Sequence, residues 1–131
     1  MLFRSQNLCQ SGFLQLLRAD NNHLVGPIPK TLRNCTSLIR VSLQRNQLLG
    51  NISEEDFGVC KNLKFMDLSY NRFYGEISQN WSWYAQLTDL RIAGNNITGA
   101  IPHEIGDFIQ LQSLDLSSNQ LVGSFQKKLE N

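Results

Sequence analysis

The stretch LQSLDLSSNQLVG, residues 111–123, closely matches LKFMDLSYNRFYG, residues 63–75. Both place Leu, Asp-Leu-Ser, Asn and Gly at the same offsets. The line recurs as LQLLRADNNHLVG (14–26), LIRVSLQRNQLLG (38–50) and LTDLRIAGNNITG (87–99). Its Asn returns at intervals of 24, 25, 24 and 24 residues. A fixed period of this length indicates a solenoid in which each copy forms one turn.

Each copy contains a segment of the form x-x-L-x-L-x-x, in which apolar and polar residues alternate. This is the period of a strand with one buried face. The apolar positions, which we expect to point inward, are Leu17, Ala19, Val41, Leu43, Met66, Leu68, Leu90, Ile92, Leu114 and Leu116. Their neighbours are expected to face solvent. Strands of successive turns should stack in parallel, about 4.8 Å apart, and each turn should bury its apolar face against the next.

An Asn marks the end of every predicted strand. A chain that turns inward leaves backbone N–H and C=O groups without partners, and an Asn amide can serve both kinds of group. We therefore interpret this column as an internal amide ladder rather than a ligand site; its members are Asn22, Asn46, Asn71, Asn95 and Asn119. A Gly follows each of them by four residues and is expected to adopt a tight backbone conformation.

Composition excludes several functional classes. The chain has 131 residues and a formal net charge of +1, which fits a single domain with no bias toward nucleic acid. No apolar run approaches the roughly 18 residues of a membrane-spanning helix. The start, MLFRSQNLCQSGFLQLL, lacks the continuous apolar segment of a signal peptide. We expect neither an evident leader nor a membrane segment within this sequence.

Catalysis is not expected. The two histidines, His23 and His103, occupy different positions of the repeat, so they cannot share a site. No activated Ser or Cys arrangement and no Cys/His metal spacing is present. The sequence therefore predicts no catalytic residue, no cofactor and no metal.

The three cysteines are Cys9, Cys35 and Cys60. Cys35 and Cys60 occupy one repeat position, which favours their being small buried hydrophobic residues. An odd count argues against a full disulfide framework, although a Cys35–Cys60 bridge between stacked turns is geometrically conceivable.

Two segments carry a family resemblance: NNHLVGPIPKTLRNCTSLIRVSLQRNQLLGNIS and NNITGAIPHEIGDFIQLQSLDLSSNQLVG. With their L-x-G-x-I-P extension they resemble plant-type leucine-rich repeats, in particular those of receptor-like serine/threonine kinase ectodomains in the group that senses secreted peptides. The resemblance covers residues 7–131. Receptor-like proteins and polygalacturonase-inhibiting proteins share the pattern.

The resemblance implies a leucine-rich-repeat solenoid, an α/β-type superhelix with short parallel strands on the concave face and an irregular or 3-10 convex side. We assign residues 1–13 to the remnant of a preceding repeat. Five repeats follow over 14–131, namely 14–37, 38–62, 63–86, 87–110 and an incomplete 111–131. The family also implies a signal peptide, an N-terminal cysteine-paired cap, a membrane helix and a kinase domain, none of which we recognise. We therefore expect a piece of a longer ectodomain or a truncated gene product.

Four N-x-S/T sequons are present, at Asn34, Asn51, Asn80 and Asn96. Such sequons are glycosylation acceptors on the surface of secreted proteins. The repeat pattern accounts by itself for the sequons at Asn34 and Asn96. The sequons at Asn51 and Asn80 are not dictated by the repeat pattern, so they are stronger indications of glycosylation.

The strand face predicts where a partner binds, because a solenoid presents one broad regular surface. Phe65 and Tyr70 are expected to be exposed on one strand, next to Arg40 and Arg45 of the preceding strand. Exposed aromatic residues with Arg are favoured as binding anchors. The full predicted ligand site is Arg40, Arg45, Phe65, Asp67, Tyr70, Asp89 and Arg91. A solvated face, with Asp67, Arg91 and Asp115 as a cross-strand charge ladder, is the alternative.

We therefore expect a non-catalytic recognition module that contacts a peptide or protein ligand or a co-receptor ectodomain. It would act at the extracellular face of the plasma membrane as part of a parent receptor, with no nucleic-acid partner. A free-standing secreted inhibitor of a cell-wall hydrolase such as polygalacturonase, or a non-functional receptor fragment, remains the alternative.

Overall fold

The computed structural model of the chain describes residues 9, 12–53, 60–77, 86–103 and 110–123. Two parallel sheets run along the solenoid, and each turn contributes one strand to each sheet. The first sheet contains β1 (Leu16–Arg18), β3 (Arg40–Ser42), β5 (Phe65–Asp67), β7 (Asp89–Arg91) and β9 (Ser113–Asp115), in that order. The second contains β10 (Gln120–Val122), β8 (Asn96–Ala100), β6 (Arg72–Glu76), β4 (Gln47–Asn51) and β2 (Val25–Gly26), in that order.

The first sheet follows the register that the repeat predicts. Its strands align in continuous rows, of which one is Leu16, Arg40, Phe65, Asp89 and Ser113. The neighbouring row, Leu17, Val41, Met66, Leu90 and Leu114, points inward. The predicted inward residues form the core or pack against it, and Leu32, Leu38, Leu63 and Leu87 of the convex side complete it. The leucine-rich-repeat fold is thus confirmed.

The second sheet was not part of the sequence-based expectation. It arises because the residues after each ladder Asn also alternate: Leu48 and Phe73 point inward, whereas Leu49 and Tyr74 are exposed. Of the Gly residues four positions after a ladder Asn, Gly26, Gly75, Gly99 and Gly123 have the positive φ expected of a tight conformation, whereas Gly50 does not. On the convex side, a 3-10 helix spans Lys30–Asn34 and begins after the extended Pro29.

The Asn ladder is confirmed by its hydrogen bonds. Asn71 Nδ2 donates to the carbonyl oxygens of Leu43 in the preceding turn (3.0 Å) and Leu68 in its own turn (3.1 Å). Its Oδ1 accepts from the N–H of Leu48 in the preceding turn at 3.0 Å. Asn46, Asn95 and Asn119 repeat this arrangement. Asn22 at the first turn is exposed, and among the described residues it donates only locally, to the carbonyl oxygens of Ala19 and Asp20.

The expected burial of Cys35 and Cys60 is confirmed, but the bridge that forms is not the conceivable Cys35–Cys60 one. Cys9 and Cys35 form a disulfide, with Cα atoms 5.1 Å apart, that ties residue 9 to the end of the 3-10 helix. Cys60 is a buried thiol whose Sγ lies 3.8 Å from the carbonyl oxygen of Cys35 in the preceding turn. The repeat position correctly predicts that Cys35 and Cys60 are buried. It missed the bridge because Cys9 precedes the first copy and has no counterpart in the repeat.

Some outward-facing positions are also covered, contrary to the simple alternation. Ser42, Asp67 and Ser69 are 2%, 7% and 5% exposed. They lie on the strand face or just after it, among larger neighbours such as Phe65, Tyr70 and Arg91. Short side chains of the central turns are therefore covered on the concave face, whereas the neighbouring Tyr70 is 46% exposed.

Candidate ligand-binding face

Phe65 is the centre of the concave face. It lies on β5, and its ring is flanked from both neighbouring strands by guanidinium groups. The Arg40 Cζ lies 3.9 Å from the ring centroid and the Arg91 Cζ lies 5.5 Å from it. Such cation–π contacts hold the planar guanidinium group against the ring and leave its N–H groups available at the edge. The predicted proximity of Arg40 and Phe65 is confirmed.

Tyr70 forms a second aromatic position just beyond β5. The Arg45 Cζ lies 4.6 Å from its ring centroid. Both residues have a positive φ, 58° for Tyr70 and 61° for Arg45, at the position that precedes the ladder Asn. On the other side, the ring lies against Gly94, where an added Cβ would collide with ring atoms Cδ1 and Cε1. Gly94 thus makes room for the ring, a role that the sequence pattern did not indicate.

Arg40 and Arg45 differ from the other arginines of this face. Arg91 Nη2 lies 3.3 Å from Asp89 Oδ2, and Arg18 Nε lies 3.8 Å from Asp20 Oδ1. Within the described parts of the chain, no carboxylate lies at ion-pair distance from Arg40 or Arg45. The face therefore carries two stacked guanidinium groups whose charge is not compensated by a carboxylate of the described residues.

The acidic residues have roles that differ from the predicted charge ladder. Arg91 pairs with Asp89 on its own strand and its charge also acts on Asp115, whereas no ion pair with Asp67 forms within the described residues. Asp67 accepts a hydrogen bond from the N–H of Ser69 at 2.9 Å. Asp115 accepts from Ser117 Oγ at 2.6 Å and from Ser117 N–H at 3.0 Å. These bonds to Ser117, with a smaller contribution from the charge of Arg91, lower the pKa of Asp115.

Five of the seven predicted ligand-site residues thus belong to two contact groups: Arg40, Phe65 and Arg91, and Arg45 with Tyr70. Asp89 joins the first group through Arg91, whereas Asp67 is almost covered and supports the backbone. Gln44 is a further residue of this face that the sequence did not single out. Its Oε1 is buried, and within the described residues no hydrogen-bond donor reaches it.

Three of the four sequons can be placed. Asn34 is exposed at the end of the 3-10 helix, and Asn51 and Asn96 lie on the second sheet, away from the first sheet. Asn80 lies outside the described residues. In the described part of the chain, no group of three or more His, Cys, Asp and Glu side chains could hold a metal ion. The same residues contain no helix long and apolar enough to cross a membrane.

With this geometry in place, the family can be assigned. The Leucine Rich Repeat family model matches residues 13–35, 62–83, 86–108 and 110–131, which together are more than half of the chain. The chain belongs to the leucine-rich-repeat family. The copy at 38–62, which the family model does not match, still supplies one strand to each sheet, β3 and β4.

The relatives of this leucine-rich-repeat chain are plant receptors. It is 30% identical over 121 residues to Receptor-like protein 41 of Arabidopsis thaliana, which covers 90% of this chain and 14% of that protein. The chain thus spans about one seventh of the length of that curated relative. The plant receptor resemblance carried by the L-x-G-x-I-P segments is confirmed.

Solved structures of plant proteins support the same resemblance. The ectodomain of the Arabidopsis receptor kinase HAESA, in complex with an N-terminally extended IDA peptide hormone, superposes with a TM-score of 0.83 at 32% identity, covering 92% of this chain and 20% of HAESA. The BIR3–SERK2 complex from Arabidopsis thaliana contains a chain with a TM-score of 0.71 at 30% identity, covering 77% of this chain and 54% of that one.

Proposed function

We propose that this chain is a non-catalytic recognition segment of a plant receptor ectodomain and that its concave face binds an extended peptide or a protein partner. One observation carries the proposal: two aromatic rings on the concave face are each held by a guanidinium group from the preceding turn. Preorganised aromatic and Arg side chains are the residues that most often dominate binding energy.

The surface has the chemistry of a peptide site. Phe65 and Tyr70 offer apolar area, and Arg40 and Arg45 offer hydrogen-bond donors that are not engaged by described carboxylates. Asp89 and Arg91 form a polar border. The solved relative HAESA holds a peptide hormone, and the BIR3–SERK2 structure is a complex of two proteins, which supports a peptide ligand or a second protein such as a co-receptor as the partner. An extracellular location follows from the same proposal.

The test screens a phage-displayed library of random peptides for binding to the full chain. One recovered peptide is then synthesised, and its affinity for the chain is measured. We expect Phe65→Ala and Arg40→Ala each to weaken it about tenfold or more, as loss of a hot spot does. Tyr74→Ala removes an exposed aromatic ring from the second sheet and should leave binding unchanged. Equal binding by the wild type and both concave-face variants would contradict the proposal.

A further inference from the structure

The exposed face of the second sheet carries an aromatic residue between two sequons. Tyr74 on β6 is the direct register partner of Asn51 on β4 and of Asn96 on β8. All three alternate with the inward Ile52, Phe73 and Ile97, so they share the outward side. Adjacent strands are about 4.8 Å apart, which places one acceptor Asn on each side of the ring at that spacing. We call the row Asn51–Tyr74–Asn96 the lateral row.

We propose that the lateral row is a glycan platform: Asn51 and Asn96 both carry N-linked glycans, and the innermost N-acetylglucosamine of at least one packs on the ring of Tyr74. The face of a pyranose ring presents polarised C–H groups, and these suit the negative face of an aromatic ring. Tyr74 is 47% exposed, which leaves a ring face free to be covered. This inference assumes a secreted chain, and it does not depend on ligand binding at the concave face.

The folded chain can accept a sugar on both amides. Oδ1 of Asn51 accepts from Ser53 N–H at 3.0 Å and from Ser53 Oγ at 2.8 Å, whereas its Nδ2 donates to no described residue. Asn96 is exposed and makes no side-chain hydrogen bond within the described residues. The contrast with its neighbour is informative: Nδ2 of Asn95 donates to three backbone carbonyl oxygens, all at 3.1 Å, and could not carry a sugar without losing them.

The orientation of Asn51 supports the contact with Tyr74. Gly75 has a φ of +91°, and an added Cβ there would collide with Oδ1 of Asn51. The Asn51 amide therefore lies over β6, the strand that carries Tyr74, rather than extending away from it.

Attachment of the glycan forms a bond between Asn Nδ2 and C1 of the sugar, and it breaks the bond between C1 and the pyrophosphate of a lipid-linked oligosaccharide donor. The amide loses one proton, and the lipid pyrophosphate is the leaving group.

The consequence is a division of the surface. Glycans on the lateral row would cover Tyr74 and the neighbouring Leu49, which is 50% exposed on the same face. Protein partners would then be excluded from the second sheet. The aromatic residues of the concave face, Phe65 and Tyr70, would remain open, because no sequon of the described residues lies on the first sheet.

The test expresses the full chain behind a cleavable secretion leader in plant cells and measures sequon occupancy by glycopeptide mass spectrometry. The glycans are then trimmed to one N-acetylglucosamine per site, and NMR records the N-acetyl and ring protons of that sugar. We expect occupancy at both Asn51 and Asn96, and sugar resonances displaced upfield by the ring current of Tyr74. Asn51→Gln and Asn96→Gln, made singly, identify which sugar is displaced.

Three further variants separate the contact from general stability. Tyr74→Phe should keep the upfield displacement, Tyr74→Ala should abolish it, and Tyr70→Ala on the opposite side should leave it unchanged. An empty sequon at Asn51 or Asn96 would overturn the proposal. So would occupied sites whose sugar resonances in the wild type match those in unfolded glycopeptides. Neither result bears on peptide affinity at Phe65, so the two proposals fail independently.

Discussion

The amide of Asn71 joins two turns through four hydrogen bonds: it donates to Leu43, Leu68 and Ser69 carbonyl oxygens and accepts from the N–H of Leu48. All these contacts are buried. We expect Asn71→Ala to lower the free energy of unfolding by about 3 kcal/mol, because each buried polar group left unpaired costs about 1–3 kcal/mol. Urea unfolding followed by circular dichroism measures it.

Asn22→Ala is the matched control for this substitution. Asn22 has the same repeat position but is exposed, and within the part of the chain that the structure describes its Nδ2 donates only to Ala19 and Asp20. Water can replace those bonds, so we expect a loss below about 1 kcal/mol. Equal losses in the two variants would show that the ladder contributes no more in the core than at the exposed turn.

Gly94 and Tyr70 give a second residue-scale prediction. The positive φ of Gly94 does not itself require Gly, since Arg45, Tyr70 and Ser118 adopt the same conformation. Gly is required at this position because a Cβ would occupy the space of the Tyr70 ring. Gly94→Ala should cost about 2–3 kcal/mol, of which about 1–2 kcal/mol is the left-handed backbone. The rest of the cost comes from the collision with the Tyr70 ring, so it should disappear when Gly94→Ala is made in the Tyr70→Ala variant. A double-mutant cycle by thermal unfolding measures this coupling, and additive effects would contradict the packing argument.

Asp115 supplies a pH dependence. Its pKa is lowered chiefly by the hydrogen bond from Ser117 Oγ and then by that from Ser117 N–H. A carboxyl with a lowered folded-state pKa stabilises the fold above its ordinary pKa near 3.8, and that contribution is lost as pH falls through the folded pKa. Ser117→Ala should raise the pKa of Asp115, as a carboxyl-carbon NMR titration would show. An unchanged titration would mean that the hydroxyl bond is unimportant.

At the scale of elements, the sequence predicted the first sheet well and the second poorly. Leu17, Val41 and Met66 recur with strict alternation, and alternation with a fixed period determines both face and register. Four of the five strands of the second sheet contain a Gly that interrupts the apolar alternation, so Leu48 and Leu49 resemble an ordinary apolar pair. The predicted neighbours Arg40 and Phe65 meet because strand register determines adjacency. Gly94 beneath Tyr70 depends on ring placement, which no repeat pattern encodes.

The Cys9–Cys35 disulfide determines how many thiols of the chain can react. With Cys9 and Cys35 bridged, Cys60 is the one thiol among the three cysteines of the chain. Because Cys60 is fully buried, a thiol-reactive chromogen should label nothing in the native protein. It should label one thiol in denaturant without reductant and three after reduction. Three reactive thiols in unreduced denatured protein would contradict the bridge, which is expected to contribute about 2–4 kcal/mol to stability.

At the scale of the whole molecule, both sheets have open edges within the described residues, and β1 is an outer strand of the first. Phe13 precedes this strand and Leu16 begins it, and they are 82% and 58% exposed. Unpaired strand edges beside apolar side chains promote pairing between copies. We therefore expect the chain, isolated from any longer parent, to associate at micromolar concentrations in sedimentation velocity.

Leu16→Lys should weaken that association about tenfold, because a charge on an edge strand opposes pairing. Leu49→Lys is its control. Leu49 is 50% exposed, so the loss of apolar surface is similar, but β4 lies between β2 and β6 and has no open edge. If Leu49→Lys alone restores the monomer, copies meet through the second sheet, which is the face that the proposed glycans would cover. A wild-type chain that stays monomeric at every concentration would show instead that copies do not pair through the β1 edge.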